Sequence, residues 1–320
     1  MEPASIGSPV LWLAFIVFVL LMLALDLGVF NKKDHVVGFR EAAIWSAVWI
    51  SLAMVFNALL FWRFGQEHGL EFLTGYLIEK SLSVDNIFVF IVIFSALRIP
   101  AVYQHRVLYW GILSALVFRA VMIFAGAAMI QRFHWLIYVF GVFLIFTGVK
   151  LYLDRNKEEH PEDSKAMKWV RSVVPSTDRF DGHDFFTVEN GKRVATPLLM
   201  ALIMIEISDI IFAVDSIPAI FAVTTDPFIV FTSNIFAILG LRSLFFILAG
   251  LVDKFRYLKV GLAAVLTFVG IKMTIMDIYK IPSLVSLAVI LLTLTISVVA
   301  SFAASKREQR QAALQEPSST

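Results

Sequence analysis

Residues 79–86 read Glu-Lys-Ser-Leu-Ser-Val-Asp-Asn, and residues 206–218 read Glu-Ile-Ser-Asp-Ile-Ile-Phe-Ala-Val-Asp-Ser-Ile-Pro. Each stretch places several carboxylates inside a long apolar run, and the two stretches are similar to each other. Val84-Asp85-Asn86-Ile87 aligns with Val214-Asp215-Ser216-Ile217, and another carboxylate lies six residues before each aspartate. This recurrence of acidic groups in apolar surroundings indicates two copies of one structural unit.

The composition of the 320-residue chain is that of a membrane protein. Hydrophobic residues make up 59% of the chain and charged residues 16%, whereas soluble domains average roughly 45–50% and about 25%. The formal net charge of +2 gives no reason to expect a nucleic-acid partner. The absence of cysteine excludes disulfides, thiolate metal sites and dithiol redox chemistry for the polypeptide acting alone.

Apolar runs recur along the whole chain, and a transmembrane helix needs about 20 mostly apolar residues. We therefore predict an all-α polytopic membrane protein in which residues 1–320 form a single membrane domain. About nine transmembrane helices are predicted, at residues 9–30, 41–63, 71–97, 106–130, 134–153, 195–223, 228–251, 257–277 and 282–304.

Basic residues fall in alternate connections, and such connections lie on the cytoplasmic side of a membrane. The connection at 154–194 carries eight basic residues beside nine acidic ones, and the connection at 31–40 carries three basic residues. This pattern predicts a periplasmic N-terminus and a cytoplasmic C-terminus, with 154–194 as a cytoplasmic connection. Within it we predict a helix at 164–174 on the inner membrane surface and a hairpin at 185–195. Residues 305–320 are predicted to be a disordered cytoplasmic tail.

The similarity between the two stretches extends over three predicted helices each. Gly111 to Arg119 matches Asn234 to Arg242, and Gly148-Val149-Lys150 matches Gly270-Ile271-Lys272. Residues 71–153 and 195–277 are thus two three-helix repeats. Each repeat has an odd number of helices, so its chain ends on the opposite side of the membrane from where it began. Because the connection between the repeats stays on one side, the second repeat is predicted to be inverted. Inverted repeats of this kind are typical of transporters, with the substrate site near the membrane midplane between them.

Five carboxylates are predicted to lie inside the bilayer, where each costs about 2.5–3.5 kcal/mol. Glu79, Ser83 and Asn86 are spaced to form one polar stripe on a helix. Carboxylate, amide and hydroxyl oxygens suit Mg, Ca or Mn rather than Cu or Zn. The alternative is an internal ion-pair network in which nearby basic side chains neutralise the acids. The five acids are Glu79, Asp85, Glu206, Asp209 and Asp215, and the basic candidates are Arg119, Arg242, Lys150 and Lys272.

The two acidic spans are also longer than a bilayer core requires, and Pro218 frees a backbone carbonyl within the second of them. These features predict tilted or broken helices around a polar cavity. Elsewhere, Asn57 and Asn234 are candidates for hydrogen bonds between helices.

These motifs resemble the TerC family of integral membrane proteins, and within it the Alx branch of bacterial inner-membrane proteins. The resemblance covers the chain from about residue 9 to 300. It includes residues 190–197, Asn-Gly-Lys-Arg-Val-Ala-Thr-Pro, and the run from Thr225 to Arg242. The resemblance implies a manganese exporter of the inner (plasma) membrane. It also implies a cation site formed by Glu79, Asp85, Asn86, Glu206, Asp209, Asp215 and Ser216.

We therefore expect a transporter that exports a divalent cation, Mn²⁺ in the first instance, in exchange for protons. The alternative is a non-transporting membrane-bound redox or stress modulator of the tellurite-resistance type, whose buried acids are only structural. We do not expect an enzyme, because the sequence shows no glycine loop for phosphate, no Ser/His/Asp arrangement and no redox cofactor motif. Mn²⁺ is expected as substrate, with no tightly bound cofactor; the partners are the metal ion and the lipid bilayer, and the sequence leaves the oligomeric state open.

Overall fold

A computed structural model describes residues 5–28, 37–133, 135–154, 165–189, 191–249 and 257–315. Within these ranges, side chains are described except at 25–28, 85, 165–166 and 305–315. The described chain is helical apart from one short hairpin. Its elements are α1 (Pro9–Gly28), α2 (Phe39–Phe64), α3 (Gln66–Ala96), α4 (Ala101–Arg132), α5 (Leu136–Leu153), α6 (Lys165–Val173), β1 (Phe186–Glu189), β2 (Lys192–Ala195), α7 (Pro197–Phe221), α8 (Pro227–Leu239), α9 (Leu241–Ala249), α10 (Leu258–Thr274) and α11 (Ser283–Gln315).

The structure confirms an all-α polytopic membrane protein. Among the described residues, five helices are long and apolar enough to cross a membrane, or six if the bent pair α8–α9 counts as one span. Large apolar side chains point outward, as lipid contact requires; Val10 and Leu13 of α1, for example, are 75% and 65% exposed. Helix occupies every predicted span, but the count of nine membrane crossings stays a prediction.

Helix continuity differs from the expectation at one point. The acidic helices α3 and α7 are unbroken over 31 and 25 residues, with Pro218 accommodated in the last turn of α7. The break lies instead in the seventh predicted span, where Gly240 separates α8 from α9 and the axis turns by 42°. Of the two predicted alternatives, tilted or broken acidic helices, the structure shows no break in α3 or α7, and their tilt stays a prediction. At about 1.5 Å per residue, α3 is about 46 Å long and exceeds a bilayer core of about 30 Å.

The two predicted repeats pack against each other in reciprocal pairs. Helix α4 lies against α7 and α3 lies against α8, while α3 also contacts α7 and α5 lies along α10. Exchanging corresponding helices of the two repeats leaves this set of pairs unchanged, as an approximate twofold axis would require. The reciprocity agrees with two repeats related by a twofold axis, and the inversion of the second repeat stays a prediction.

The α5–α10 pair packs closely through glycines. A Cβ added at Gly270 would lie 2.6 Å from the carbonyl oxygen of Gly141 and 2.8 Å from the backbone nitrogen of Ile145. A Cβ added at Gly148 would lie 2.8 Å from the carbonyl oxygen of Ala263. Small residues let membrane helices approach closely enough for their backbones to touch, where packing rather than the hydrophobic effect holds helices together.

The connection at 154–194, which is predicted to be cytoplasmic, is tied to the start of α7. Strands β1 and β2 pair antiparallel, with Phe186 opposite Ala195, which confirms the predicted hairpin; its Asn190 lies outside the described residues. Helix α6 is present, but Met167 and Val170 are 2% and 1% exposed and pack with Leu198. Part of the apolar side of α6 therefore faces the protein, while Trp169 and Val173 are 62% and 59% exposed. That the helix lies on the inner membrane surface stays a prediction.

The backbone of α11 continues as a helix to Gln315. This differs from the disordered tail predicted from residue 305, because the helical register of the last span carries on into the polar segment. Residues 316–320 lie outside the described part of the chain.

We expect Gly270→Ala to lower the stability of the folded protein, by about 1–3 kcal/mol as for other overpacked cores. The new methyl group would meet backbone atoms of α5, which cannot move aside as a flexible side chain can. Thermal unfolding of the purified protein in detergent measures the effect. Gly38→Ala is the control, because nothing lies within 4 Å of a Cβ there; equal unfolding temperatures for the two variants would contradict the prediction.

Candidate functional site: a buried arginine between two acids

Arg119 of α4 is the centre of the buried polar site, and only 1% of it is exposed. Its Nε donates to Oδ2 of Asp209 at 3.1 Å and its Nη2 donates to Oδ1 of the same carboxylate at 2.6 Å. Its Nη1 donates to Oε1 of Glu79 and lies 3.4 Å from Oγ of Ser216. The guanidinium thus forms a bidentate ion pair with Asp209 and a single hydrogen bond with Glu79.

Three helices meet at this site, and each contributes one charged side chain. Glu79 comes from α3 and Arg119 from α4, both in the first predicted repeat, while Asp209 comes from α7 in the second. Asp209 is 4% exposed, so all three charged groups are shielded from solvent. The structure therefore realises part of the ion-pair network that the sequence offered as an alternative.

The polar stripe of α3 is buried, and several of its polar atoms have no hydrogen-bond partner among the described residues. Glu79, Ser83 and Asn86 are each 1% exposed. Among the described residues no hydrogen-bond partner is found for Oε2 of Glu79, Oγ of Ser83 or Oδ1 of Asn86. Buried polar atoms are nearly always paired in folded proteins, and each unpaired one calls for an explanation such as a bound ion or water.

The remaining acids of α7 have hydrogen-bond partners other than Arg119, although Glu206 is close enough to Asp209 for the two charges to interact. Oε1 of Glu206 accepts a hydrogen bond from Oγ of Ser114 at 2.5 Å, while its buried Oε2 has no partner among the described side chains. Oδ1 of Asp215 accepts from Oγ1 of Thr147 at 3.2 Å, and the positive charge of Lys150 acts on it. Asp215 is thus turned toward α5 rather than toward Arg119.

Three of the seven predicted ligands, Glu79, Asp209 and Ser216, are gathered around Arg119. The side chain of Asp85 lies outside the described part of the structure. Within the described residues, no group of three or more histidines, aspartates or glutamates is arranged to hold a metal ion. The predicted cation site thus stays a prediction, and the geometry in hand is an acid–arginine cluster with spare oxygens beside it.

Sequence reasoning missed the neutral partners Ser114 and Thr147, since hydroxyl residues in apolar helices carry no distinct signal. It also missed Lys80, which donates from Nζ to the carbonyl oxygen of Ala237 at 3.3 Å. The prediction that Asn234 hydrogen-bonds another helix is wrong within the described chain, because neither polar atom of its side chain has a partner there.

A polar cavity of about 920 Å³ lies at the end of the bundle where α3 begins and α7 ends, which is the predicted periplasmic end. Lys272, only 8% exposed, forms part of its wall. Glu71 also lines the cavity and pairs with Nδ1 of His68 at 3.2 Å. The cavity thus brings charged side chains of α3 and α10 together at this end of the bundle.

Long apolar helices around a buried charged cluster define a polytopic integral membrane protein. The chain belongs to the TerC family: the integral membrane protein TerC family matches residues 64–309. It is 70% identical to an uncharacterized membrane protein of Myxococcus xanthus over 302 residues, 94% of this chain and 95% of that one. It is 50% identical over 295 residues to the Escherichia coli (strain K12) protein whose name describes a membrane-bound redox modulator, Alx, covering 89% and 92% of the two chains. No solved structure matches the chain.

We expect Arg119→Met to destabilise the protein by about 3–5 kcal/mol, because it leaves two buried carboxylates without their counter-charge. The triple variant Arg119→Met/Glu79→Gln/Asp209→Asn, which removes all three charges, is expected to recover much of that loss. Unfolding temperature and folded yield in detergent measure both effects. Arg132→Met is the control, because Arg132 is exposed at the end of α4; equal losses for Arg119 and Arg132 would contradict the prediction.

Proposed function

We propose that this TerC-family protein exports a divalent cation, with Mn²⁺ as the first candidate, from the cytoplasm. The observation that carries the proposal is a set of buried oxygens on α3 and α7 that have no hydrogen-bond partner among the described residues: Oε2 of Glu79, Oγ of Ser83, Oδ1 of Asn86 and Oε2 of Glu206. Leaving a buried acceptor unpaired costs about 1–3 kcal/mol, more for a charged group. A hard cation bound by these oxygens for part of a transport cycle explains why the sequence keeps them.

The charge balance of the cluster agrees with a divalent substrate. Glu79, Asp209 and Glu206 contribute three negative charges when ionised, against one positive charge from Arg119. Three minus one leaves a surplus of two. One divalent cation or two protons compensates that surplus, which is the basis for proposing exchange of the metal against protons.

Arg119 has a defined part in this proposal. In the structure it occupies both oxygens of Asp209 and one oxygen of Glu79. When no substrate is bound, the guanidinium of Arg119 neutralises part of the negative charge of Glu79 and Asp209 and so lowers the repulsion between them. The substrate would take the free oxygens of Glu79 and Glu206, with Ser83 and Asn86 as neutral ligands, and Asp209 would act through Arg119. Asp215, paired with Thr147 beyond this cluster, would serve a second position on the path.

The ligand chemistry favours Mn²⁺, Mg²⁺ or Ca²⁺, since every candidate donor is an oxygen. The names of several relatives describe a redox modulator instead, and this second function keeps the buried acids as structural elements. A chain with no cysteine offers no thiol for such a role. The two functions make opposite predictions for substitutions that remove the unpaired oxygens.

We expect Asn86→Leu to abolish or strongly reduce Mn²⁺ efflux from proteoliposomes while leaving the unfolding temperature unchanged or raised. Oδ1 of Asn86 is buried and has no partner among the described residues, so replacing the amide by an apolar group of similar size removes the cost of desolvating this oxygen, and stability does not suffer. Asn57→Leu is the matched control, because Oδ1 of Asn57 is also buried and unpaired within the described chain but lies on α2. Its efflux is expected to equal that of the wild type.

Full efflux by the Asn86 variant would count against the proposed cation site. The neutral triple variant Arg119→Met/Glu79→Gln/Asp209→Asn tests the structural alternative directly. If it folds and still lowers cell manganese as the wild type does, the acids serve only the fold. If it folds and does not lower cell manganese, the proposal stands.

We expect Mn²⁺ export in proteoliposomes to accelerate when a proton gradient is imposed in the direction opposite to metal movement. The reason is that the surplus carboxylates must be neutralised by protons on the return step. A fluorescent pH reporter inside the vesicles should record proton movement that depends on Mn²⁺. Transport that is indifferent to the imposed gradient would rule out proton coupling.

A further inference from the structure

Lys80 follows Glu79 on α3 but serves a different neighbour. While Glu79 turns toward Arg119, the half-buried Lys80 reaches α8 and donates from Nζ to the carbonyl oxygen of Ala237 at 3.3 Å. Among the described side chains, Lys80 has no carboxylate within ion-pair distance. A lysine inside the bilayer is costly, so its position against a backbone carbonyl needs a specific reason.

The carbonyl that receives this ammonium belongs to the broken end of α8. The last carbonyls of a helix lack partners further along the chain and carry the negative end of the helix dipole. Ala237 lies in the last turn of α8, just before the 42° turn at Gly240. In transporters with discontinuous helices, such ends coordinate small cations that accompany the substrate.

Gly240 leaves the room that the ammonium fills. Its φ of −83° and ψ of 0° are accessible to any residue, so the backbone does not require glycine here. A Cβ at this position would lie 2.6 Å from Nζ of Lys80 and 3.3 Å from Cβ of Trp49. The glycine is therefore explained by the space that the lysine tip needs beside the break.

We propose that the ammonium of Lys80 is a tethered cation that occupies a small monovalent-cation site at the broken end of α8. The built-in charge takes the place that Na⁺ or K⁺ would otherwise fill, so the protein needs neither ion there. Removing the charge while keeping the cavity vacates the site and makes the protein respond to alkali cations. The transport consequence depends on the proposed function, but the binding consequence does not.

The binding test compares thermal unfolding of purified wild type and Lys80→Met in NaCl, KCl and choline chloride at one ionic strength. The wild type is expected to unfold at the same temperature in all three salts. The Lys80→Met protein is expected to unfold several degrees higher in NaCl or KCl than in choline chloride, because an ion that binds only the folded state stabilises it. Lys80→Arg, which keeps the charge, and Lys280→Met, at an exposed position, are expected to behave as the wild type.

Equal unfolding temperatures of Lys80→Met in the three salts would overturn the proposal. If this variant folds poorly, its folded yield after extraction in each salt replaces the unfolding temperature. Recovery of folded Lys80→Met protein in NaCl or KCl but not in choline chloride supports the site. A low folded yield in all three salts overturns it. In proteoliposomes, Mn²⁺ efflux by Lys80→Met should need Na⁺ or K⁺ while efflux by the wild type does not. If the wild-type protein shows no Mn²⁺ efflux, the proposed function is refuted. The unfolding temperatures in the three salts then test the Lys80 proposal by themselves.

Discussion

The pairing of Arg119 with Glu79 and Asp209 is the interaction on which the interior of the bundle depends. It joins α4 to α3 within one predicted repeat and to α7 in the other, so one guanidinium fixes the relative position of three helices. A buried ion pair of this kind is weak evidence for net stability, since desolvating three charges offsets most of their attraction. The pairing instead favours one arrangement of the three helices, because displacing any one of them leaves an unpaired charge inside the membrane.

This constraint also bears on how the proposed cation site and a stable fold could coexist in one place. Arg119 neutralises part of the acidic cluster, while the stripe on α3 has oxygens that no described residue pairs. Lys80, the residue after Glu79, contacts the end of α8 beside the α8–α9 break. Glu79 and Lys80 of α3 thus contact Arg119 and the end of α8, respectively. A movement of α3 would change both contacts.

Much of the fold followed from apolar lengths and from the internal repeat. The predicted spans all contain helix, and the hairpin before α7 was predicted from Asn190-Gly191 in the sequence. The break at Gly240 was not predicted, because it occurs with an ordinary backbone conformation. For α6, the sequence shows that one face is apolar but not what covers each side chain; Met167 and Val170 are covered by protein, whereas Trp169 is exposed.

The sequence by itself determined that this is a polytopic membrane protein of the TerC family with acids at matching positions in two segments. Composition and motif spacing suffice for that, because the cost of intramembrane charge leaves few reasons to keep such residues. Only the tertiary structure decided which acids share a partner. Asp209 and Asp215 lie on one helix, yet the first meets Arg119 and the second meets Thr147. Those contacts depend on how α4 and α5 pack against α7, and residue spacing along one helix does not contain that information.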